Sequence, residues 1–76
     1  MMAPDEIDEV VFVVTEEPEV GGYCASCSCW GIYTQGEDLD DLRRMVVDAV
    51  ECRFADEPVR PKRIRLHFVR DEVIAA

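Results

Sequence analysis

Gly21 to Gly36, GGYCASCSCWGIYTQG, is the stretch that decides how this chain folds. A glycine pair opens an alternating run, a Trp30-Gly31 step interrupts it, and Thr34-Gln35-Gly36 closes it. The pattern predicts two strands on either side of a tight corner, delivered directly into a helix. In the first of them, Tyr23 to Cys29, alternation puts Tyr23, Ala25, Cys27 and Cys29 on one face and Cys24, Ser26 and Ser28 on the other. Gly31 permits a bulge or turn, and Ile32-Tyr33-Thr34 forms a short next strand.

Working outward, residues 1–8 carry no periodic signal and read as a frayed end. Glu9 to Thr15, EVVFVVT, is β-branched and aromatic throughout. It predicts a strand buried on both faces or placed centrally in the sheet. Glu16 to Gly22, EEPEVGG, is turn material, with Pro18 breaking pairing and Gly21-Gly22 permitting positive φ. Its length suits a hairpin loop, so the strands on either side are antiparallel.

Beyond Gly36, Asp38 is placed to cap a helix by accepting from the backbone N–H of Asp41, with Glu37, Asp40 and Asp41 favourable at the positive end of the dipole. Leu39, Leu42, Met45, Val46, Ala49, Val50 and Phe54 recur at helical spacing and define the buried face. Asp56-Glu57-Pro58 ends the helix, and Arg60-Pro61 keeps the linker extended. Arg63 to Val69, RIRLHFV, alternates strictly: Ile64, Leu66 and Phe68 on one face, Arg63, Arg65 and His67 on the other. Val73-Ile74 is a short apolar tail suited to docking on a second subunit. The expectation is one α+β domain over residues 1–76, ordered from about 9 to 70. Its order is β-β-β-α-β, an antiparallel sheet with one helix packed on one face. The uncovered side of such a layer is an association surface, which implies a homodimer or larger assembly.

The chain has 76 residues and a formal net charge of −9, from 17 acidic and 8 basic side chains. A core this small supplies about 3–5 kcal/mol. The charge opposes binding to phosphate backbones and suits a basic protein partner. The N-terminus MMAPDEIDE has no secretory apolar region, and the longest apolar run, Val10 to Val14, is too short to span a bilayer. These features predict a cytoplasmic protein without membrane or nucleic-acid partners, in which Cys24, Cys27, Cys29 and Cys52 are reduced thiols.

Cys24-x-x-Cys27-x-Cys29, with Cys52 and His67, raises the possibility of tetrahedral zinc. In an extended strand, however, Cys24 faces away from Cys27 and Cys29, and Ala25-Ser26 holds no turn former. The alternative is that Cys27, Cys29 and Cys52 fill the core as small apolar groups. No cofactor is expected. His67 reads as a surface residue, without a committed nucleophile. The acidic pairs Asp5-Glu6, Asp8-Glu9, Glu16-Glu17 and Asp40-Asp41 fall at a terminus, a turn and a helix cap rather than at one pocket, so no enzyme is expected. Arg63, Arg65, His67 and Arg70 form a basic strip, paired with acids of a neighbouring strand or subunit or docking an anionic partner.

Thr15-Glu16-Glu17, Pro18-Glu19-Val20-Gly21-Gly22-Tyr23-Cys24-Ala25, Gly31-Ile32-Tyr33-Thr34-Gln35-Gly36-Glu37 and the helix from Leu39 through Ala49-Val50 resemble the HicB-like antitoxin family. The likeness runs from about Val11 to Val69. It implies a trimmed ribonuclease H-like architecture without the catalytic carboxylates, and oligomerisation. It further implies an antitoxin that covers the active site of a small basic HicA-type ribonuclease. Ser28-Cys29-Trp30-Gly31 is shorter than the proline-rich step of many members. The chain is similar to short stand-alone members that lack a C-terminal DNA-binding domain. On this reading Glu16, Glu17, Asp40 and Asp41 dock the partner, with Arg63 and Arg65 as a second strip. The alternatives are an orphan homo-oligomeric structural domain, or a zinc-binding protein using the four cysteines.

Overall fold

In the computed structural model, residues 7–70, 72 and 74–76 are described. The elements are β1 (Ile7–Glu16), β2 (Tyr23–Cys27), β3 (Ile32–Gly36), α1 (Leu39–Arg53) and β4 (Pro61–Val69), in one four-stranded sheet of order β3-β2-β1-β4. The fold is α+β with the expected β-β-β-α-β order.

The sheet is mixed rather than wholly antiparallel. β1, β2 and β3 form a meander of antiparallel pairs, and β4 lies parallel to β1, with Glu9 opposite Arg63 and Thr15 opposite Val69. Chain direction explains this. Three alternating strands and a returning helix leave the fourth strand running the way of the first, and such a parallel pair needs a crossover like α1. Pro61 begins β4 on the sheet edge, a position at which proline is tolerated.

β1 is central as expected, but only one of its faces is buried. Val10, Phe12 and Val14 are at most 1% exposed, whereas Val11 and Val13 are 44% and 41% exposed on the opposite face. The core is completed by Ala25, Cys27, Ile32 and Thr34 from the sheet, Leu42, Val46 and Val50 from the helix, and Phe54 at its C-cap. Full burial of a side chain such as Leu42 contributes about 1.5–3 kcal/mol. Met45, assigned by spacing to the buried face, is exposed, and Leu39 and Ala49 are half-buried.

Asp38 caps α1, its side chain accepting from the Asp41 N–H at 2.7 Å. Gly21 and Gly22 adopt the positive φ their turn requires (78° and 89°). Gly36 has no such φ; it is needed for space. A Cβ there would lie 2.5 Å from Leu42 N and 2.6 Å from Leu42 Cα, so the first turn of α1 rests directly on the end of β3.

The strand from Tyr23 ends at Cys27, not Cys29. Ser28 to Gly31 turn, with Gly31 at φ 64°, and Trp30 folds back edge-on to Phe54 with ring centroids 5.0 Å apart. Arg53 lies over both rings, 5.6 Å and 5.5 Å from their centroids. Ile7 and Asp8 belong to β1 rather than to a frayed end. Asp5-Glu6 and Val73 lie outside the described residues; Ile74 is 81% exposed. No helix among the described residues is long and apolar enough to cross a membrane.

Candidate functional site

Two turns far apart in sequence meet at one end of the sheet. The β1–β2 turn and the β3–α1 junction are brought together because Tyr23 pairs with Gly36. Glu16, Glu37, Asp38 and Asp40 therefore line one shallow hollow with Gly22, Tyr23, Leu39 and Arg43. Glu17, Glu37 and Asp41 line its neighbour with Cys24 and Gln35. The four carboxylates expected at a docking site, Glu16, Glu17, Asp40 and Asp41, thus share one acidic corner.

Their local partners divide their roles. Asp41 accepts from the Glu37 N–H at 2.9 Å and from Arg44, and these bonds, the backbone one foremost, hold its carboxyl below the ordinary aspartate range. Asp40 pairs with Arg43 at 3.0 Å while remaining almost fully exposed. Glu17 accepts from the Cys24 thiol at 3.2 Å, and the Tyr33 hydroxyl donates to that sulfur at 3.1 Å. The contact with Cys24 pushes the Tyr33 phenol above its ordinary range. Asp41 and Glu17 are structural; Glu16 and Asp40 offer charge to solvent.

This corner adjoins the face of the sheet that α1 leaves uncovered. Strand register places Val11, Val13, Cys24, Ser26, Tyr33, Gln35, Arg65 and His67 on that face. Val11, Val13, Tyr33 and, at the end of β4, Val69 are its exposed apolar groups. Glu17, bonded to Cys24, marks where the acidic corner passes into it.

Arg63 and Arg65 lie on this same face but away from the acidic corner. They stand opposite Glu9 and Val11. Glu9 is seven residues before Glu16 and Val11 five, so Arg63 and Arg65 are roughly 23 Å and 17 Å along the strand from the acidic corner. Arg63 bonds Asp8 at 2.8 Å and Glu9 at 3.4 Å, and Arg65 also bonds Glu9. The Arg65 hydrogen bond leads in holding the Glu9 carboxyl below its ordinary range. The pairing is with the neighbouring strand of the same chain.

Of the cysteines, Cys27 is buried under α1 and Cys24 is half-buried on the other side of the sheet. Cys29 and Cys52, offered as core residues, are both exposed: Cys29 falls in the turn after β2, and Cys52 lies off the buried stripe of α1. Among the described residues no three His, Cys, Asp or Glu side chains gather as a metal-binding group. His67 is exposed, opposite Val13.

The sequence is 42% identical over 67 residues to a UPF0150 protein of Thermotoga maritima, covering 88% of this chain and 91% of the relative. The chain belongs to the UPF0150 family. A second UPF0150 protein, from Archaeoglobus fulgidus, is 45% identical over 58 residues, 76% of this chain and 83% of the relative. No family model and no solved structure matches significantly. Both relatives are similar over most of their own length.

In this UPF0150 chain, sequence reasoning missed Val11, Val13 and Tyr33 as surface groups. The signal for the valines was indirect: one helix of 15 residues cannot cover both sides of a four-stranded sheet. In the sequence Glu37 stands out only as a helix-end charge and Asp38 only as a helix cap. Their place beside Glu16 depends on the pairing of Tyr23 with Gly36.

Proposed function

We propose that this UPF0150 chain is a non-enzymatic protein-binding module that sequesters a small basic protein through its acidic corner and the adjoining uncovered sheet face. The observation that carries this reading is the convergence of Glu16, Glu37, Asp38 and Asp40 on one hollow, beside exposed Val11, Val13 and Tyr33. Such a surface joins a steering field to an apolar contact area, the combination that gives rapid encounter and a stable dock. With net charge −9, it favours a basic protein over a nucleic acid. The resemblance to HicB-like antitoxins names the class of partner: a HicA-type ribonuclease, neutralised by burial of its active site. The cytoplasm is the compartment of that role.

The test is a tagged pull-down from the native host with mass spectrometry, followed by RNA-cleavage assays of any captured protein. Stoichiometric recovery of a small basic ribonuclease, inhibited by the chain, supports the proposal. Glu16→Lys with Asp40→Lys is expected to weaken capture at least about tenfold. Val13→Asp tests the sheet face separately. Recovery of the bait alone, or capture indifferent to all three changes, removes the proposal in favour of a structural subunit.

A further inference from the structure

The outer surface of α1, on the opposite side of the molecule from the uncovered sheet face, carries a pattern that the acidic corner does not explain. Arg43, Arg44, Val47, Asp48 and Glu51 line one shallow depression, at the spacing that forms a continuous stripe along a helix. Val47, 47% exposed, is its apolar centre. Arg43 and Arg44 lie on the N-terminal side of Val47, and Asp48 and Glu51 on the C-terminal side.

Glu51 is in the last turn of α1, where the helix dipole favours cations rather than anions. Arg43 and Arg44 pair with Asp40 and Asp41, but among the described residues neither Asp48 nor Glu51 forms an ion pair. No ion pair within the described residues therefore accounts for the acidic half of the stripe, although Glu51 shares a groove with Arg60, Lys62 and Arg63.

A stripe that is basic at one end, apolar in the middle and acidic at the other is complementary to itself when reversed. We infer that α1 is the interface of a two-fold homodimer, in which the helices of two copies cross antiparallel at Val47. With Val47 opposite Val47, Arg43 of each copy falls opposite Glu51 of the other, and Arg44 lies beside Asp48. The same register sets Asp40 of one copy opposite Phe54 of the other. There it meets Arg60 and Lys62, which rim a groove that Val47, Phe54, Pro61 and Ile64 also line. Isologous pairing makes every such contact twice, so single residues weigh double in association. β4 completes the apolar area, because Ile64 and Leu66 are only half-covered by α1. Its edge is an inferior route to dimerisation: Lys62, Arg63 and Arg65 on two facing strands repel. The sheet face with Val11 and Val13 stays free in this dimer, while Asp40 and Arg43 belong both to the dimer contact and to the rim of the acidic corner.

Sedimentation equilibrium of the purified full chain decides it. The wild type is expected to sediment at twice 8.6 kDa. Val47→Asp, Arg43→Glu with Arg44→Glu, and Asp48→Arg with Glu51→Arg are each expected to weaken self-association by about tenfold or more. Their circular dichroism should remain that of the wild type, since the substituted side chains are exposed. The decisive arm mixes the two charge-reversed chains, which are each monomeric alone and form a one-to-one heterodimer together. A wild type that stays monomeric at about 0.1 mM, where a dimer with a micromolar Kd is almost fully formed, overturns the inference. So does an oligomer that survives all three variants, or a mixture that fails to associate.

Discussion

Replacing Gly36 with alanine tests the contact on which the acidic corner is built. The added Cβ would stand 2.5 Å from Leu42 N, 2.6 Å from Leu42 Cα and 3.0 Å from Asp41 C, all backbone atoms. Relaxed contacts need about 3.5 Å, so the first turn of α1 must retreat by roughly 1 Å. That lifts Leu42, which is 0% exposed, from its seat on the sheet. Overpacking of this kind costs about 1–3 kcal/mol, offset by about 0.4–1 kcal/mol from the stiffer unfolded chain. A net loss of about 1–2 kcal/mol from a total near 3–5 lowers Tm by roughly 5–15 °C. Urea and thermal melts followed by circular dichroism give the size of the loss. Amide exchange gives its place, at the Leu42 N–H that bonds Asp38 O at 2.8 Å. Gly31→Ala is the control: nothing lies within 4 Å of its Cβ, and only the positive φ of 64° opposes it. That variant loses about 1 kcal/mol without faster exchange at Leu42. A Gly36→Ala protein that melts like the wild type, with exchange at Leu42 unchanged, refutes the contact.

Acid should weaken the fold in part through Glu9 and Asp41. Both carboxyls are held below their ordinary range in the fold, so their stabilisation is complete above the unfolded values and is lost as pH falls from about 5 towards 3. Arg65→Ala should flatten that limb of a stability–pH curve, and an unaltered limb would exclude the Glu9 share. Trp30→Ala removes the edge contact with Phe54 and the ring beneath Arg53. A loss of about 1.5–2.5 kcal/mol is expected in urea denaturation followed by circular dichroism, the side chain being half-buried. Thiol alkylation of the native protein, read by peptide mass spectrometry, should modify Cys29 and Cys52 first and Cys27 only on unfolding. Early labelling of Cys27, 3% exposed beneath α1, would contradict the core assignment.

The local part of this architecture is written plainly in the chain. The alternation of Tyr23 to Cys27, the cap at Asp38 and the periodicity of Leu42, Val46 and Val50 each follow from short-range geometry. What depends on non-local placement was harder to read. The run Val10 to Val14 has the composition of a strand buried on both sides, and only the shortage of covering elements leaves Val11 and Val13 open. Alternation continued on paper through Cys29, but Trp30 gains more by reaching Phe54 than by extending β2. Glu16, Glu17, Asp40 and Asp41 could be selected by charge, whereas their meeting at one corner required the register of β2 on β3. Arg63 and Arg65 could be selected in the same way, and their neighbours in space are Asp8 and Glu9.

The parallel pairing of β1 with β4 joins Ile7 to Pro61 and Thr15 to Val69, the first strand of the chain to the last. Chains emerge from the ribosome N-terminus first, and pairings distant in sequence form slowly. The meander β1–β2–β3 and then α1 can assemble while one edge of β1 still offers its row of amides and carbonyls to any extended segment nearby. Only when β4 arrives is that edge closed. For the interval between, the nascent molecule is an incomplete sheet, and a neighbouring chain on the same messenger, exposing the same RIRLHFV segment, is its most closely matched competitor for closure.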